Sequence, residues 1–206
     1  MNTENKSAGY GIILLAAGAS TRLGKPKQLL TYQGKTLLQH ALQVAVDTCA
    51  SPVMAVIGAG ADILEQEIKY PVQAVINNQW EEGMASSIRC GLTQLLNVEP
   101  ATKAVIIMVC DQPFVTAQLF QDLITKYEQS GKPIVASSYK NSLGTPALFD
   151  KTIFAALLEL KGDTGAKKLM KANPNQVDEV QFPMGEIDID TEADYERLPL
   201  PSESCR

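Results

Sequence analysis

The stretch IILLAAGASTRLGKPKQLL, residues 12–30, decides how the chain begins to fold. It opens with four aliphatic residues, which predict a buried strand, and it continues into the small-residue loop AAGAS at residues 16–20. Side chains this small hardly obstruct a ligand. Backbone N–H groups exposed after a strand, with cations just beyond, are typical of polyphosphate sites in α/β proteins. The stretch therefore predicts a strand followed by a phosphate-binding loop.

The charges around this loop are one-sided. Residues 5–46 contain no Asp or Glu, although the whole chain has a formal net charge of −5. The cations in this window are Lys6, Arg22, Lys25, Lys27 and Lys35. Such a window produces a local positive field, which favours an anionic ligand.

Two well-known phosphate motifs do not fit the loop. A Walker A loop has four residues between its glycines and a hydroxyl residue after its lysine. Here five residues separate Gly18 from Gly24, and Pro26 follows Lys25. A dinucleotide-binding loop needs an acid after the second strand, but the second apolar run ends in IGAG at residues 57–60. A plain turn at Gly18 remains the simpler alternative to a phosphate site.

The first two thirds of the chain alternate between strand-like and helix-like patterns. Strands are predicted at residues 10–15, 53–57, 72–76, 104–110 and 133–137, and helices at 37–48, 62–69, 85–96 and 117–129. We expect Thr36 and Gln39 to form a capping box and Thr116 to cap the fourth helix. Repeated βα units predict a parallel sheet covered by helices, with ligands at the carboxyl ends of its strands.

The pattern becomes less regular after residue 140. Strands are predicted at residues 145–149, 177–182 and 186–190, and helices at 151–160 and 164–172. A chain of 206 residues with 45% hydrophobic content and no evident linker predicts one domain over residues 1–206. Residues 1–9 and 198–206 are expected to be flexible ends.

The rare residue types exclude several kinds of site. His40 is the only histidine and lies in an apolar helical pattern, which excludes a catalytic triad or a histidine-rich metal site. Cys49, Cys90, Cys110 and Cys205 form no C-x-x-C pair, so reduced thiols are expected. No apolar run is long enough to cross a bilayer, and the first ten residues lack a signal-peptide pattern. We therefore expect a cytoplasmic protein without a membrane or nucleic-acid partner.

Five segments carry a family resemblance. Residues 15–27 match L-A-A-G-x-S-x-R-[ML]-G-x-x-K, and WEEGMASSI (80–88), DQP (111–113), GDTGAK (162–167) and DIDT (188–191) follow in order. On these segments the chain resembles the MobA-like NTP transferase family, and within it the molybdenum cofactor cytidylyltransferases. The resemblance implies a three-layer α/β/α Rossmann-like nucleotidyltransferase fold. Its mostly parallel mixed sheet would contain one antiparallel strand.

The resemblance also implies which residues form the site. Arg22, Lys27 and Asp111 would be catalytic. Nucleotide-binding residues would be Leu15, Ala16, Ala17, Gly18, Arg22, Lys27, Gly83, Met84, Ser86, Ser87 and Asp111. Mg²⁺ would bind Asp111 and Asp190, with Asp188 as the second choice, since this hard cation takes one or two carboxylates. Plain structural alternatives remain open: a turn at Asp111, a helix start at GMASS and a helix cap at Asp190 or Thr191.

The implied reaction is transfer of CMP from CTP to the phosphate of the molybdopterin cofactor, with release of pyrophosphate. Ala17 favours CTP over GTP, because guanylyltransferase relatives usually carry glycine at this position. The acceptor would be bound by Gly144, Pro146, Asp163, Gly165 and Lys167. The chain departs from the family pattern at two positions on the acceptor side: lysine replaces the family arginine at position 167, and threonine replaces histidine or asparagine at position 145.

Two alternatives remain open at this point. One is a nucleotidyltransferase that uses GTP, or that acts on a sugar phosphate or a polyol phosphate. The other is a CTP-binding accessory protein for a molybdenum hydroxylase that catalyses nothing. The resemblance implies a phosphorylated pterin as partner, and transient contact with a molybdenum hydroxylase or its maturation factor.

Overall fold

The computed structural model describes residues 9–48 and 50–198, without the side chain of Arg22. The ends expected to be flexible, residues 1–9 and 198–206, fall outside the described residues except for Gly9 and Leu198. Among the residues described, no helix has the length and apolar character of a membrane span.

Strands and helices alternate along the chain as the sequence pattern predicts. The strands are β1 (Tyr10–Ala16), β2 (Thr31–Tyr32), β3 (Lys35–Thr36), β4 (Val53–Ile57), β5 (Gln73–Ile76), β6 (Ala104–Val109), β7 (Ile134–Tyr139), β8 (Ser142–Asp150) and β9 (Val177–Gln181). The α-helices are α1 (Leu37–Val46), α2 (Ala61–Glu67), α3 (Met84–Val98), α4 (Ala117–Ser130), α5 (Phe154–Leu158), α6 (Lys167–Ala172) and α7 (Glu192–Glu196). Short 3-10 helices lie at Thr21–Leu23, Lys27–Leu29, Trp80–Glu82, Lys151–Ile153 and Pro174–Gln176.

Seven strands form the main sheet in the order β5-β4-β1-β6-β8-β7-β9. β8 runs antiparallel to β6 and β7, and the other neighbouring pairs in this sheet are parallel. The predicted mixed sheet with one antiparallel strand is confirmed. Because β1, β4, β5 and β6 are parallel, their carboxyl ends lie along one edge, where the loops after them can meet.

The core consists of two layers, one on each face of the sheet. Alternate side chains of β1 point to opposite faces, as in any strand. Ile12 and Leu14 pack on the face covered by α1, α2 and α4, where Phe120 is fully buried. Ile13 packs on the other face with residues of α3, α5 and α6, including Ile88. The predicted three-layer α/β/α architecture is confirmed.

The predicted helix caps are confirmed. The Thr36 side chain accepts from the N–H of Gln39, and the Gln39 side chain accepts from the N–H of Thr36. Thr116 accepts from the N–H of Leu119 at the start of α4. These caps satisfy N–H groups that have no partner within the helix.

The strand predicted at residues 186–190 is wrong. This segment pairs with no strand; instead Ile189 is fully buried in a small cluster with Leu30, Tyr32, Leu37 and Leu198. The apolar alternation of the segment thus reflects packing on this cluster and not sheet pairing. The N–H of Ile189 donates to the carbonyl of Asp111 at 3.0 Å, which holds the segment beside the end of β6.

Candidate active site

The loop after β1 forms one wall of the site. Its residues Ala17 and Gly18 are followed by the 3-10 helix Thr21–Leu23, and a Cβ placed on Gly18 would meet no atom within 4 Å. The space beside this loop is therefore open to a ligand. The side chain of Arg22 lies outside the described part, so its role at a triphosphate stays a prediction.

A buried glutamine holds the loop in this shape. Gln28 is 1% exposed, and its amide NH₂ donates to the carbonyls of Ala16 and Gly18, both at 2.8 Å. Ser20 Oγ lies 3.3 Å from Gln28 Oε1 and accepts from the N–H of Lys27 at 3.0 Å. With both carbonyls turned toward Gln28, the backbone of the loop is fixed. Sequence reasoning did not single out Gln28; its signal is a polar residue at the start of the apolar run QLL.

Gln28→Leu is expected to raise the KM for nucleotide more than it lowers kcat. The substitution keeps the side-chain volume but leaves two loop carbonyls without a donor, which costs about 1–3 kcal/mol for a buried group. Thermal unfolding and steady-state kinetics measure the two effects. Gln118→Leu, at an exposed position on α4, is the matched control. Unchanged nucleotide affinity in Gln28→Leu would contradict this role.

A lysine and two aspartates meet at the floor of the site. Asp111 follows β6 by two residues, and its Oδ2 accepts from the ammonium of Lys27. The same ammonium donates to Asp190 Oδ1 at 2.7 Å. The structure thus brings together three of the predicted site residues, although they are distant in the sequence.

Electrostatics keep Lys27 charged. Burial alone would lower the pKa of the Lys27 amine, but the charge and hydrogen bond of Asp111, together with Asp190, raise the pKa above its ordinary value. Burial, followed by the negative charge of Asp111, raises the pKa of Asp188 to about 6. Asp190, and not Asp188, is the second carboxylate on the lysine.

The two carboxylates suit a hard divalent cation. Asp111 Oδ1 is buried and has no hydrogen-bond partner among the described residues. Asp190 points to the same ammonium as Asp111, so the two carboxylates converge on one small region. Across residues 9–48 and 50–198, no three His, Cys, Asp or Glu side chains come close enough to hold a metal by themselves. Two carboxylates with phosphate oxygens completing the shell are what Mg²⁺ typically takes.

A cavity of about 450 Å³ lies between the loop after β1, the start of α3 and Asp111. This volume is typical of small-molecule sites. Of the residues predicted to bind nucleotide, those that line it are Leu15, Ala16, Ala17, Gly18, Lys27, Gly83, Met84, Ser87 and Asp111. Ser86 does not line it; its hydroxyl donates to the carbonyl of Gly83 at 2.8 Å. Trp80 and Glu81, which belong to the WEEGMASSI segment, also line the cavity, as does Asp163, which was predicted to bind the acceptor.

The five residues predicted to bind the acceptor fall into two groups. Asp163 lines the cavity and Gly165 lies next to it: a Cβ on Gly83 would lie 2.7 Å from the backbone nitrogen of Asp163, and one on Gly165 would lie 2.7 Å from the Sδ atom of Met84, which lines the cavity. Lys167 is the exposed first residue of α6, close in sequence to this pair.

Gly144 and Pro146 lie elsewhere, on β8. The Pro146 carbonyl accepts from the buried hydroxyl of Ser137 at 2.6 Å, and a Cβ on Gly144 would collide with the hydroxyl of Tyr139. Between them, Thr145 Oγ1 donates to Gln112 Oε1 at 3.3 Å. Gly144 and Pro146 are thus buried within β8, next to the residue that follows Asp111, and neither lines the cavity.

An ion pair fixes the loop that carries Asp163. The guanidinium of Arg89 donates to both carboxylate oxygens of Glu82, at 2.9 and 2.6 Å, and to the carbonyl of Leu160 at 2.6 Å. The N–H of Ala85 donates to the carbonyl of Gly162 at 3.1 Å. The start of α3 and this loop are therefore held together as one wall of the cavity, an arrangement that sequence reasoning did not identify.

The contacts and burial of the histidine and the described cysteines indicate structural roles. His40 Nε2 lies 2.9 Å from the carbonyl of Pro113, and its ring packs edge-on against Tyr32. Cys90 and Cys110 are free thiols, and burial raises the pKa of Cys110 to about 12, so it is neutral. Cys49 and Cys205 lie outside the described residues.

Comparison with known proteins agrees with this geometry. Residues 12–179 match the family model of the MobA-like NTP transferase domain. Nicotine blue oxidoreductase of Paenarthrobacter nicotinovorans is 30% identical over 175 residues, which are 81% of this chain and 83% of that protein. Purine catabolism protein PucB of Bacillus subtilis is 26% identical over 198 residues, 90% of this chain and 94% of that protein.

A solved structure shows the same fold. Rv0371c of Mycobacterium tuberculosis superposes with a TM-score of 0.80 at 30% identity, covering 92% of this chain and 96% of that one. The structure of Rv0371C in complex with manganese superposes with a TM-score of 0.77 at 28% identity, covering 93% of this chain and 98% of that one.

Proposed function

The chain belongs to the MobA-like NTP transferase family and is a nucleotidyltransferase, and we propose that it transfers CMP from CTP to the phosphate of the molybdopterin cofactor. The observation that carries the proposal is the meeting of Lys27, Asp111 and Asp190 at the floor of a cavity walled by a small-residue loop. This combination of a fixed cation and two carboxylates beside an open loop supports the binding of a triphosphate with a divalent metal.

The chemistry that follows needs positioning more than a protein nucleophile. A phosphate oxygen of the acceptor attacks the α-phosphorus of CTP, the bond from this phosphorus to the β-phosphate oxygen breaks, and pyrophosphate leaves. Preorganised charges that stabilise the developing negative charge supply most of the acceleration in such reactions. Lys27 remains protonated and supplies one such charge, and the N–H groups of the loop after β1 supply others.

A divalent cation, which we propose to be Mg²⁺, would be held by Asp111 and Asp190. When bound it would neutralise phosphate charge and leave the α-phosphorus more open to attack. The buried, unpartnered Asp111 Oδ1 supports this assignment. The similar protein Rv0371C has been solved in complex with manganese, which supports a divalent metal for this chain as well.

The base and the acceptor are proposed from the resemblance and from the positions of the residues. Ala17 lines the cavity, where the related guanylyltransferases usually carry glycine, which favours CTP. The phosphorylated pterin would lie beyond Asp111, on the side of Gly144 and Pro146. By the same resemblance, the product would pass to a molybdenum hydroxylase or its maturation factor.

The name of one relative suggests a different chemistry, that of an oxidoreductase. A dinucleotide cofactor typically needs an acid after the second strand of the fold to hold the ribose. Here β4 is followed by Gly58-Ala59-Gly60, and a Cβ on Gly58 would lie 2.7 Å from Trp80 Cβ. This end of β4 is packed and lacks the acid, so we favour nucleotidyl transfer.

A pyrophosphate-release assay tests the proposal. CTP, GTP, ATP and UTP are supplied with Mg²⁺, each with molybdenum cofactor, with a sugar phosphate, with a polyol phosphate or with no acceptor. We expect release with CTP and the cofactor, at a rate roughly ten- to a hundredfold above that with GTP, because an unpaired buried hydrogen-bonding group costs about 1–3 kcal/mol. Ala17→Gly should relax this preference without raising CTP use. Equal rates with CTP and GTP would contradict the choice of CTP, and binding without release would indicate an accessory protein.

A further inference from the structure

A buried amide lies behind the cavity wall formed by the start of α3. Asn77 directly follows β5 and is 4% exposed. Its Nδ2 donates to Ser86 Oγ at 2.8 Å and to Ser87 Oγ at 3.0 Å, and its Oδ1 accepts from the N–H of Gln79 at 2.9 Å. The side chain of Asn77 thus connects the end of β5 with the first turn of α3.

The direction of these hydrogen bonds follows from chemistry. The backbone N–H of Gln79 can only donate, so the atom of Asn77 that faces it must be the amide oxygen. The NH₂ group must then face the two serines, and both serine oxygens accept from it. The orientation of this amide is therefore determined by its partners, as amide assignments require.

The hydroxyl groups of Ser86 and Ser87 differ in whether they donate a hydrogen bond within the protein. The Ser86 hydroxyl donates to the carbonyl of Gly83 at 2.8 Å, so its proton is used inside the protein. The Ser87 hydroxyl accepts from Asn77, and within residues 9–48 and 50–198 no acceptor receives its proton. Ser87 also lines the cavity. Its hydroxyl therefore offers the cavity a hydrogen-bond donor.

We propose that Asn77 is a positioning residue that fixes Ser87 as a hydrogen-bond donor toward the base of the nucleotide. Asn77 would thereby select a base that presents an acceptor at this point, such as the carbonyl oxygen or the unprotonated ring nitrogen of cytosine. A base that presents only N–H groups at this point, such as the N1–H and N2–H₂ of guanine, would leave the Ser87 proton without an acceptor. This inference rests on the proposed function, since it assumes that the base lies against Ser87.

Asn77→Asp tests the proposal because it keeps the shape and removes the donor. A carboxylate at position 77 only accepts, so both serine hydroxyls must donate to it, and Ser87 can then offer the base only its lone pairs. The added negative charge weakens all triphosphates alike. The decisive readout is therefore the ratio of the Kd values for GTP and CTP, measured by calorimetry in MgCl₂.

We expect Asn77→Asp to raise the Kd for CTP by roughly tenfold or more and to lower the GTP-to-CTP ratio to about one. Asn78→Asp, which adds the same charge at the exposed neighbouring position, should keep the ratio of the unaltered protein. Ser87→Ala should lower the ratio as Asn77→Asp does. The double variant should lower it no further, because both changes remove the same donor.

Several results would overturn the proposal. One is a GTP-to-CTP ratio of Kd values that stays unchanged in Asn77→Asp or in Ser87→Ala. Another is an Asn78→Asp variant that lowers this ratio as much as Asn77→Asp does. A third is a double variant that lowers the ratio further than either single variant. Ser87→Ala adds no charge and leaves Asn77 in place, so it remains decisive if Asn77→Asp unfolds at a lower temperature. Because binding is measured and not turnover, a lack of pyrophosphate release would contradict the proposed function without changing the outcome of this test.

Discussion

Asp111→Asn is expected to lower the rate of pyrophosphate release by about 10²–10³-fold, the usual cost of removing one preorganised electrostatic group. Asparagine has the same shape and can still accept from the ammonium of Lys27, so the fold should persist. It has no negative charge, however, and a neutral amide is a poor replacement for a carboxylate that binds a hard divalent cation. The loss should therefore appear in turnover, and raising the Mg²⁺ or Mn²⁺ concentration should recover only part of it.

The control for this prediction is Asp122→Asn, at an exposed position on α4. Both variants should unfold within a few degrees of the unaltered protein, and Asp122→Asn should retain its turnover. A folded Asp111→Asn protein with near-normal turnover would show that Asp111 does not bind the catalytic metal.

Lys27→Ala should have an effect of similar size, a fall of about 10²-fold or more in kcat/KM for the nucleotide. The substitution removes the cation proposed to meet the triphosphate. It also leaves Asp111 and Asp190 close together without the positive charge between them. Both effects oppose the binding of a polyanion, so KM should rise as well as kcat fall. Steady-state kinetics with varied CTP separates the two contributions.

Two other lysines of the same basic window serve as controls for Lys27. Lys25 is half exposed and pairs with Glu192 at 3.5 Å, and Lys35 is exposed and lies 3.4 Å from Gln43. Lys25→Ala and Lys35→Ala should change kcat/KM by less than about threefold, as exposed pairs contribute little. If Lys25→Ala is the variant that loses activity, our assignment of Lys27 within the loop is wrong. Arg22→Ala in the same assay tests the predicted second cation.

Much of the fold could be predicted from local patterns. The central strands are buried on both faces and appear as continuous apolar runs, which is why β1, β4 and β6 were located to within about one residue. The caps at Thr36 and Thr116 were found because their partners lie three residues away along the chain. Elements whose determining residues lie close together along the chain can therefore be predicted from the sequence.

Two features of the fold were not predicted correctly. The hairpin of β2 and β3 was not predicted, since each strand has two residues and the turn at Gln33-Gly34 is marked only by its glycine. The strand predicted at residues 186–190 was wrong because Ile187 and Ile189 alternate in response to a small cluster beside the sheet. Alternation indicates one buried face, and it does not reveal what buries that face.

In the candidate site, too, residues of a local motif were predicted, whereas residues that depend on distant partners were not. Residues within a recognisable motif, such as Gly18 and Ser87, were named in advance and do line the cavity. Gln28 and Asn77 were not named in advance, because their hydrogen-bond partners lie up to twelve residues away along the chain and become neighbours only when the loops fold back. Asp163 was predicted to bind the acceptor, which stays a prediction; it lines the same cavity as Gly18 and Ser87, since the pairing of Arg89 with Glu82 and Leu160 holds its loop against α3.

Two labelled forms of CTP test most directly whether the protein transfers a nucleotidyl group. The protein is incubated with Mg²⁺, molybdenum cofactor and CTP labelled either at the α-phosphate or at the γ-phosphate. We predict that the α-label appears in the cofactor and the γ-label in pyrophosphate, in equal amounts. Label that stays in CTP, or that is released as CMP and inorganic phosphate, would contradict the account.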